Sequence, residues 1–295
     1  MPTRRFGHPE HRIVDAIGRY HFLTIRQIMR VLGYRSGTKR TIEKRLSWLA
    51  AHEYLLGTPG YSQGAGLPPT IYRLGKQGRD YLEGQLPLRR RFRPSDVWKR
   101  EHLAHVLGLN DVLIAAERLA LESQEAIWLA DMQHDHLLQE RPFRVTLPYG
   151  QSVSVVPDGW LDFRFPRLDK PPLRECYWVE YDRGTERQDA FQEKIRRIMA
   201  LALAPDAYEA RFGTNLLTVA IVTLPEQQAE LRRNMLLAWI RDEAQRVGGV
   251  REDLFFVTTV DAAVLSPTDV FSSPVWATPF SGERLPLIEV PEGGA

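Results

Sequence analysis

Apolar residues recur at helical spacing in three successive segments at the start of the chain. The segments cover residues 9–19, 25–32 and about 38–52, with Thr24 as a candidate N-cap for the second and Gly33 at its end. The apolar positions are Ile13, Val14, Ile17, Ile25, Ile28, Leu32, Ile42, Leu46 and Leu49. This order predicts two short helices and a longer third helix, with a tight turn at residues 33–37 before the third.

Two strands and a further helix are predicted after the third helix. Residues 54–57 and 70–74 have strand character, and the Gly-, Pro- and Ser-rich stretch between them is typical of a long hairpin tip, or wing. A closing helix is expected from Gly75 onward. Residues 9–85 resemble winged helix-turn-helix domains of the MarR type, because helix, helix, basic helix, hairpin and a Tyr72-x-Leu74-x-x-x-Gly78 closure follow in the usual order.

Basic residues are concentrated in the same part of the chain. Residues 1–93 carry 18 Lys+Arg against 6 Asp+Glu, and residues 94–295 carry 21 against 31, so balances of +12 and −10 give the net charge of +2. This asymmetry indicates that the first part binds a polyanion such as nucleic acid. Four arginines around Phe92 could also follow a phosphate backbone, although a solvated hinge explains them equally well.

The winged-helix resemblance implies that the third helix enters the major groove of double-stranded DNA and that the wing touches the backbone or the minor groove. Lys39, Arg40 and Lys44 lie mostly off the apolar stripe of this helix and are the candidates for contacts with bases or phosphates. Arg35 in the turn and Arg73 on the wing are candidates for phosphate contacts. The alternative is a winged helix that contacts protein, with its basic residues merely solvated.

The remaining chain alternates helices and strands. The pattern predicts helices at residues 97–123, 188–203 and 225–247, and strands at 153–165, 175–182, 216–223 and 254–259, with a turn-rich segment at residues 166–172. The fold class is therefore α+β, a winged helix followed by a mixed sheet flanked by helices. The expected domains are residues 1–86 and 97–265, joined by a basic linker at 87–96 and followed by a loosely packed Pro/Gly-rich tail at 266–295.

Three carboxylates are predicted to meet on this sheet. Glu180 and Asp182 are two residues apart on a strand and project from the same face, and Asp158 can join them if the two strands form a hairpin. Converging carboxylates repel one another unless a cation neutralises them, and oxygen ligands favour Mg²⁺ or Mn²⁺. Such an ion can activate water and stabilise charge on a phosphate. The alternative is that the acids are ordinary strand-end charges.

Pro157-Asp158 followed by Glu180-x-Asp182 resembles the PD-(D/E)xK nuclease core, which is restriction-endonuclease-like in fold. More specifically, the residues around these positions resemble the replication-relaxation family. They are Trp128-Leu-Ala-Asp131, Pro157-Asp158-Gly, Val179-Glu-Tyr-Asp-Arg-Gly-Thr-Glu186 and Lys194. This resemblance covers roughly residues 9–260. It implies a DNA-binding protein of plasmid or mobile-element replication with a metal-dependent endonuclease or nickase core.

The sequence departs from the nuclease pattern at Asp182, where a lysine is usual. Lys194 on the following helix lies roughly 70° from the centre of the apolar stripe and could reach the acids, although a solvated lysine is an equal alternative. Gln188 and Gln192 are weaker substitutes. The rival function is therefore a DNA-binding regulator or replication accessory factor whose core has lost catalysis and mediates assembly.

Other polar residues are weaker candidates. Asp131, His134, Asp135 and His136 are metal ligands by type but lack the spacing of a zinc site. His102 and His105 are expected to pack or face solvent, Asp111 is a possible acidic partner of the core, and Cys176 lacks a neighbouring base that would make it a nucleophile. The absence of a long apolar run and the single cysteine indicate a cytoplasmic protein without a membrane segment. Replication or mobilisation proteins and a second copy in a homodimer are the further partners expected.

Overall fold

The computed structural model describes residues 6–60, 69–85, 100–147, 150–224 and 227–289. The chain divides into two compact units, Met1–Ile114 (the N-terminal unit) and Ala115–Ala295 (the C-terminal unit). The division falls inside the long helix α5 (Arg100–Glu122). The basic linker expected at residues 87–96 and the tip of the wing at residues 61–68 lie outside the described residues.

Four helices and a three-stranded sheet precede α5 in the N-terminal unit. The helices are α1 (His8–Tyr20), α2 (Ile25–Val31), α3 (Lys39–Ala51) and α4 (Lys76–Gln85), with a 3₁₀ turn at Ser36–Thr38 before α3. The strands are β1 (Leu23–Thr24), β2 (Leu55–Pro59) and β3 (Thr70–Leu74), in the antiparallel order β1-β3-β2. This arrangement fits a winged helix, as the sequence predicts.

Local sequence explains where these elements begin and end. The Thr24 side chain accepts a hydrogen bond from Gln27 N, so Thr24 caps α2 as the sequence predicts, and the Gln27 side chain accepts one from Thr24 N, which completes a capping box. Gly33 then takes a positive φ of 67°, which favours glycine. At Gly78, an added Cβ would lie 2.2 Å from the Tyr54 carbonyl oxygen, so the closing helix needs glycine there to approach the hairpin.

The first half of α5 packs within the N-terminal unit. Leu103 and Val106 join Phe22 and Ile71 in one buried cluster. Asn110, also buried, donates from Nδ2 to the Phe22 carbonyl oxygen at 2.5 Å. These contacts make the start of α5 part of the core around the winged helix.

Two ion pairs tie further helices of the N-terminal unit together. Asp111 of α5 accepts a hydrogen bond from Arg30 Nη1 of α2 at 2.6 Å, so this candidate acidic partner of the nuclease-like core instead pairs with a helix of the N-terminal unit. Arg45 of α3 forms an ion pair with the buried Glu10 of α1. Arg45 is thus held by α1, whereas Lys39, Arg40 and Lys44 are exposed on α3.

A mixed seven-stranded sheet organises the C-terminal unit in the order β12-β11-β10-β9-β8-β7-β4. Strands β8, β9 and β10 are mutually parallel, and the remaining neighbours are antiparallel. The bounds are β4 (Trp128–His134), β7 (Gly159–Arg167), β8 (Lys170–Asp182), β9 (Thr218–Thr223), β10 (Phe255–Thr258), β11 (Trp276–Ala277) and β12 (Arg284–Leu285). A separate hairpin joins β5 (Phe143–Thr146) to β6 (Ser152–Val155).

Helices cover this sheet, and the fold class is α+β as predicted. They are α6 (Asp135–Leu138), α7 (Gln188–Leu203), α8 (Asp206–Phe212), α9 (Ala229–Val247) and α10 (Pro267–Ser272). The apolar stripe Phe191, Ile195 and Ile198 of α7 and residues Leu236 and Ile240 of α9 share a core with Trp178 of β8. The side chains of β8 on this face therefore point toward α7 and α9.

The structure corrects two expectations about this half. The segment at residues 166–172 is mainly strand, because β7 and β8 form a long hairpin that turns only at Leu168 and Asp169. The tail is also folded through residue 289: Val270, Phe271, Trp276 and Ile288 are buried, and Trp276 Nε1 donates to the Val270 carbonyl oxygen at 2.8 Å. Large apolar side chains outweigh the Pro- and Gly-rich composition there.

No helix within the described ranges is both long enough and apolar enough to cross a lipid bilayer.

Candidate functional site

The start of β7 and the end of β8 bring two of the predicted acids together. The two strands pair antiparallel with Gly159 opposite Val179, so Asp158 lies beside Glu180 at the same edge of the sheet. Asp158 Oδ2 accepts a hydrogen bond from the Tyr181 backbone N at 2.8 Å, which fixes this carboxylate against β8. The hairpin that the sequence required for this encounter is therefore present.

Glu180 is a buried carboxylate with few hydrogen-bond donors around it. Only 4% of the residue is exposed, Trp178 Nε1 donates to Oε1 at 2.6 Å, and Lys194 Nζ donates to Oε2 at 3.3 Å. Burial and the neighbouring charge of Asp158 raise the pKa of Glu180 to about 7, although Lys194 and Trp178 act in the opposite direction. Negative charge is thus in excess at this edge of the sheet.

Lys194 extends from the flank of α7 to the acids, as the helical geometry allows. Its Nζ lies 3.0 Å from Glu186 Oε2 as well as 3.3 Å from Glu180 Oε2, and the side chain is 34% exposed. Burial lowers the pKa of Lys194, but the charges of Glu180, Asp158 and Glu186 outweigh it and raise the pKa overall. The ammonium group stays charged and reaches both the acid pair and solvent.

Asp182 projects from the same face of β8 but has a different set of partners. Arg232 of α9 donates from Nε to Oδ2 at 2.9 Å and from Nη2 to Oδ1 at 3.0 Å. Thr223 Oγ1 donates to Oδ2 at 2.7 Å and Gly184 N to Oδ1 at 3.1 Å. Burial raises the pKa of Asp182, but these hydrogen bonds outweigh it and lower the pKa below its usual range.

The donor set at this edge fits a hard divalent cation at Asp158 and Glu180. Both side chains offer carboxylate oxygens, and a cation between them would offset the burial and the repulsion by Asp158 that raise the pKa of Glu180. The oxygens of Asp182 already accept four hydrogen bonds, including a bidentate pair with Arg232. The geometry therefore places Asp182 beside this set with its oxygens occupied by donors, whereas the sequence grouped all three acids as ligands.

The residues that give Glu180 and Asp182 different surroundings were not predicted from the sequence. Arg232 and Thr223 come from other elements, and nothing in their spacing marks them as partners of Asp182. Trp178 could have been found, because the alternation Trp178-x-Glu180-x-Asp182 places all three side chains on one face of β8.

A second polar cluster lies where β4 passes into α6. Ligand atoms of His134, Asp135 and His136 all lie within 4.8 Å of one another. Asp131, which the sequence grouped with them, is exposed and accepts hydrogen bonds from Met132 N and Gln133 Nε2, both at 2.8 Å.

The cysteine, histidine and glutamine candidates from the sequence lie apart from the acid pair or make no contact with it that the structure describes. Cys176 is buried in β8, and burial together with the nearby Asp162 raises the pKa of its thiol to about 12, so it is not a nucleophile at neutral pH. His102 and His105 are half-buried on α5. Gln192 of α7 is buried in the helix interface, and Gln188 is exposed at the start of α7.

The DNA-binding candidates lie in the N-terminal unit. Arg35, Lys39, Arg40 and Lys44 are exposed in the turn before α3 and on α3 itself. Lys39 Nζ lies 3.9 Å from Glu43 Oε1, an exposed pair of little energetic weight. Arg73 is half-buried in β3, opposite Leu56 of β2. The structure thus gathers four of the five basic candidates around one helix.

No curated protein and no solved structure matches the chain. A family model described as replication-relaxation matches residues 15–216, more than half of the chain. The match includes α3 with its basic residues and the strands and helix that carry Asp158, Glu180, Asp182 and Lys194. The chain therefore belongs to the replication-relaxation family.

Proposed function

We propose that the chain is a DNA-binding protein of plasmid or mobile-element replication and that its C-terminal unit cleaves or nicks DNA with Mg²⁺ or Mn²⁺. The observation that carries the proposal is the grouping of Asp158, buried Glu180 and Lys194, with Lys194 Nζ 3.3 Å from Glu180 Oε2. This grouping agrees with the order of acids and lysine in a restriction-endonuclease-like PD-(D/E)xK core. The lysine comes from a helix and not from the strand.

Asp158 and Glu180 would hold the ion. When bound, the ion supplies a water of lowered pKa and stabilises negative charge on the scissile phosphate. Lys194 would then lie beside this phosphate and stabilise the charge that develops on its oxygens. Because Glu186 also holds Lys194, the ammonium keeps its place when Glu180 turns toward an ion.

Asp182 is a positioning residue in this proposal. Arg232, which is bound bidentately by Asp182, also donates from Nη2 to the Glu186 carbonyl oxygen at 3.0 Å. The pair thereby fixes the segment between β8 and α7, from which Glu186 reaches Lys194. The effect of Asp182 on the site passes through this segment.

The N-terminal unit would anchor the protein on duplex DNA. Lys39, Arg40 and Lys44 are exposed on α3, and Arg40 and Lys44 lie on the side of the helix opposite the buried Ile42 and Leu46. A helix with this division suits the major groove, with Arg35 and Arg73 near the phosphates. Counterion release by these cations gives binding a strong dependence on salt.

A second candidate function is a catalytically inactive DNA-binding regulator or replication accessory factor that uses the nuclease-like core for assembly with replication proteins or a second copy. The engagement of Lys194 in two ion pairs favours it, because a lysine held by Glu180 and Glu186 also has a purely structural use. The two functions differ in whether the protein cuts DNA.

The deciding experiment is nicking of supercoiled plasmid by the full chain with Mg²⁺ or Mn²⁺. We expect Glu180→Gln to abolish cleavage and Lys194→Met to reduce its rate, since one removes an ion ligand and the other a charge on the phosphate. Glu193→Gln, the same change at an exposed position of α7, is the matched control and should cut normally. If the unmutated protein cuts no form of DNA with either ion, the accessory function replaces the nuclease.

Duplex binding of the same variants tests the anchor separately. Glu180→Gln should bind duplex DNA as the unmutated protein does. Lys39→Ala with Arg40→Ala should bind more weakly, and the slope of the logarithm of its binding constant against the logarithm of salt concentration should fall in magnitude by up to about 2. Arg19→Ala with Lys76→Ala removes the same charge from α1 and α4 and is the control. An equal loss in both double variants would mean that α3 is not the contact surface.

A further inference from the structure

His134, Asp135 and His136 are consecutive residues whose side chains converge. Along a strand, neighbouring side chains point to opposite faces, so three consecutive residues cannot meet there. Here β4 ends at His134, which has extended backbone angles (φ −88°, ψ 159°), and α6 begins at Asp135. The change of backbone direction at this junction turns the three side chains toward one another.

The cluster is compact and largely withdrawn from solvent. Side-chain exposure is 2% for His134, 10% for Asp135 and 22% for His136. His134 Nδ1 is hydrogen-bonded to Asp135 Oδ1, and His136 Nδ1 lies 3.9 Å from the same oxygen. The Nδ1 atoms of both imidazoles thus lie near the same carboxylate oxygen, which is the grouping of atoms that a bound metal ion requires.

The outer side of the cluster is supported by a further hydrogen bond. Gln139 Nε2 donates to Asp135 Oδ2 at 3.3 Å, which leaves Oδ1 directed at the histidines. An outer hydrogen bond of this kind orients a ligating carboxylate. His134 is also opposite Gly159 in the pairing of β4 with β7, so the strand ladder fixes the backbone from which the cluster projects.

We propose that His134, Asp135 and His136 form a binding site for Zn²⁺ or a similar transition-metal ion. Imidazole nitrogens are borderline ligands, so a set of two imidazoles and one carboxylate suits Zn²⁺ better than Mg²⁺. Three protein ligands leave one position of a tetrahedral ion for water or a phosphate oxygen. Binding requires unprotonated imidazoles, so any proton between His134 and Asp135 leaves for solvent as the ion enters.

This site is distinct in chemistry from the acid pair, although it lies on the adjacent strand. Gly159, opposite His134, is next to Asp158 in the chain. Asp158 and Glu180 offer only oxygen atoms, whereas the cluster offers two nitrogens. The proposal is therefore independent of DNA cleavage, and each site can exist without the other.

The test is Zn²⁺ titration of the full chain without an affinity tag, after removal of metal by a chelator, in competition with a chromophoric zinc indicator. We expect one equivalent of Zn²⁺ to bind tightly to each chain. His134→Ala and His136→Ala should each weaken this binding by at least about 100-fold, the upper end of the loss caused by removing an outer-shell partner alone. Co²⁺ absorption gives a second readout, because the visible bands should require both histidines.

Controls separate this site from other ligands on the chain. His52→Ala removes an exposed histidine of the N-terminal unit and should leave the tight equivalent unchanged. Glu180→Gln should also retain it. Should His134→Ala fail to fold by circular dichroism, His136→Asn at the more exposed position replaces it. Absence of a tight equivalent, its survival in a folded histidine variant, or its loss in Glu180→Gln would each overturn the proposal.

Discussion

Glu180 and Asp182 are two carboxylates on one face of one strand, two residues apart, with opposite electrostatic surroundings. Asp182 accepts four hydrogen bonds, two of them from Arg232, and its pKa lies below the usual range. Glu180 accepts one from Trp178 and one from Lys194, and with Asp158 nearby its pKa rises to about 7. Both side chains are 5% exposed, but the charge of Asp158 adds to the burial of Glu180, whereas Arg232 neutralises Asp182.

The difference gives two acids of one strand different relations to their neighbours. A carboxylate saturated by a buried arginine cannot be removed without leaving a buried charge unpaired, and its oxygens are already occupied by donors. A carboxylate with too few donors costs stability and gains from a cation. Asp182 and Glu180 are these two cases, and each of the following measurements tests one of them.

The largest effect is expected from Asp182→Asn. The change leaves the guanidinium of Arg232 buried without its counter-charge, and breaking such a pair costs about 3–5 kcal/mol of the free energy of unfolding. Denaturant unfolding of the full chain measures it. Asp253→Asn, which removes the carboxylate of an exposed pair with Arg251, is the control and should cost about 0–1 kcal/mol. Similar losses in both variants would contradict the structural role of Asp182.

Glu180→Gln should produce the next largest effect, and it depends on pH. The pKa of Glu180 rises from 4.5 to about 7 on folding, so the unfolded chain loses this proton at lower pH than the native chain does. The cost of ionising buried Glu180 therefore grows from pH 4.5 to pH 7 and is complete above it. The free energy of unfolding of Glu180→Gln, relative to that of the unmutated protein, should therefore rise by up to about 3 kcal/mol between pH 4 and pH 8.

Unfolding curves at several pH values check this prediction. Glu193→Gln, at an exposed position, controls for the loss of a surface carboxylate. A difference between Glu180→Gln and the unmutated protein that does not change with pH would mean that Glu180 ionises as easily as an exposed acid.

The smallest effect is expected from Thr223→Val. This near-isosteric change removes one of the four donors to Asp182 and leaves the bidentate pair with Arg232 in place. The free energy of unfolding should therefore fall by about 1–2 kcal/mol. The same unfolding assay measures it. A loss as large as that of Asp182→Asn would show that the hydroxyl, and not the arginine, satisfies the carboxylate.

Much of the frame of this site follows from local sequence patterns. Helix α7 runs from Gln188 to Leu203 as its apolar periodicity predicts, and this periodicity also placed Lys194 at the flank from which it reaches Glu180. The Pro157-Asp158 and Glu180-x-Asp182 spacings located the two strands that pair as a hairpin. These features depend on residues near one another in the chain, which a pattern can register.

Features that depend on distant residues could not be predicted in the same way. Arg232 meets Asp182 only because α9 packs beside α7, and nothing in the spacing of the sequence records that contact. The cluster at His134 depends on a backbone turn that residue types alone do not reveal. The folded tail was not predicted because its Pro- and Gly-rich composition is typical of loosely packed segments, although it contains residues such as Trp276 that are buried in the fold.

The bidentate pair of Asp182 and Arg232 also determines which substitutions this protein can accept during evolution. The usual nuclease lysine at position 182 would place an ammonium beside the buried guanidinium of Arg232, so two cations would share a space that now holds an ion pair. Such a chain must replace Arg232 before or together with Asp182. A single Asp182→Lys change would therefore leave two cations in one buried space and destabilise the C-terminal unit.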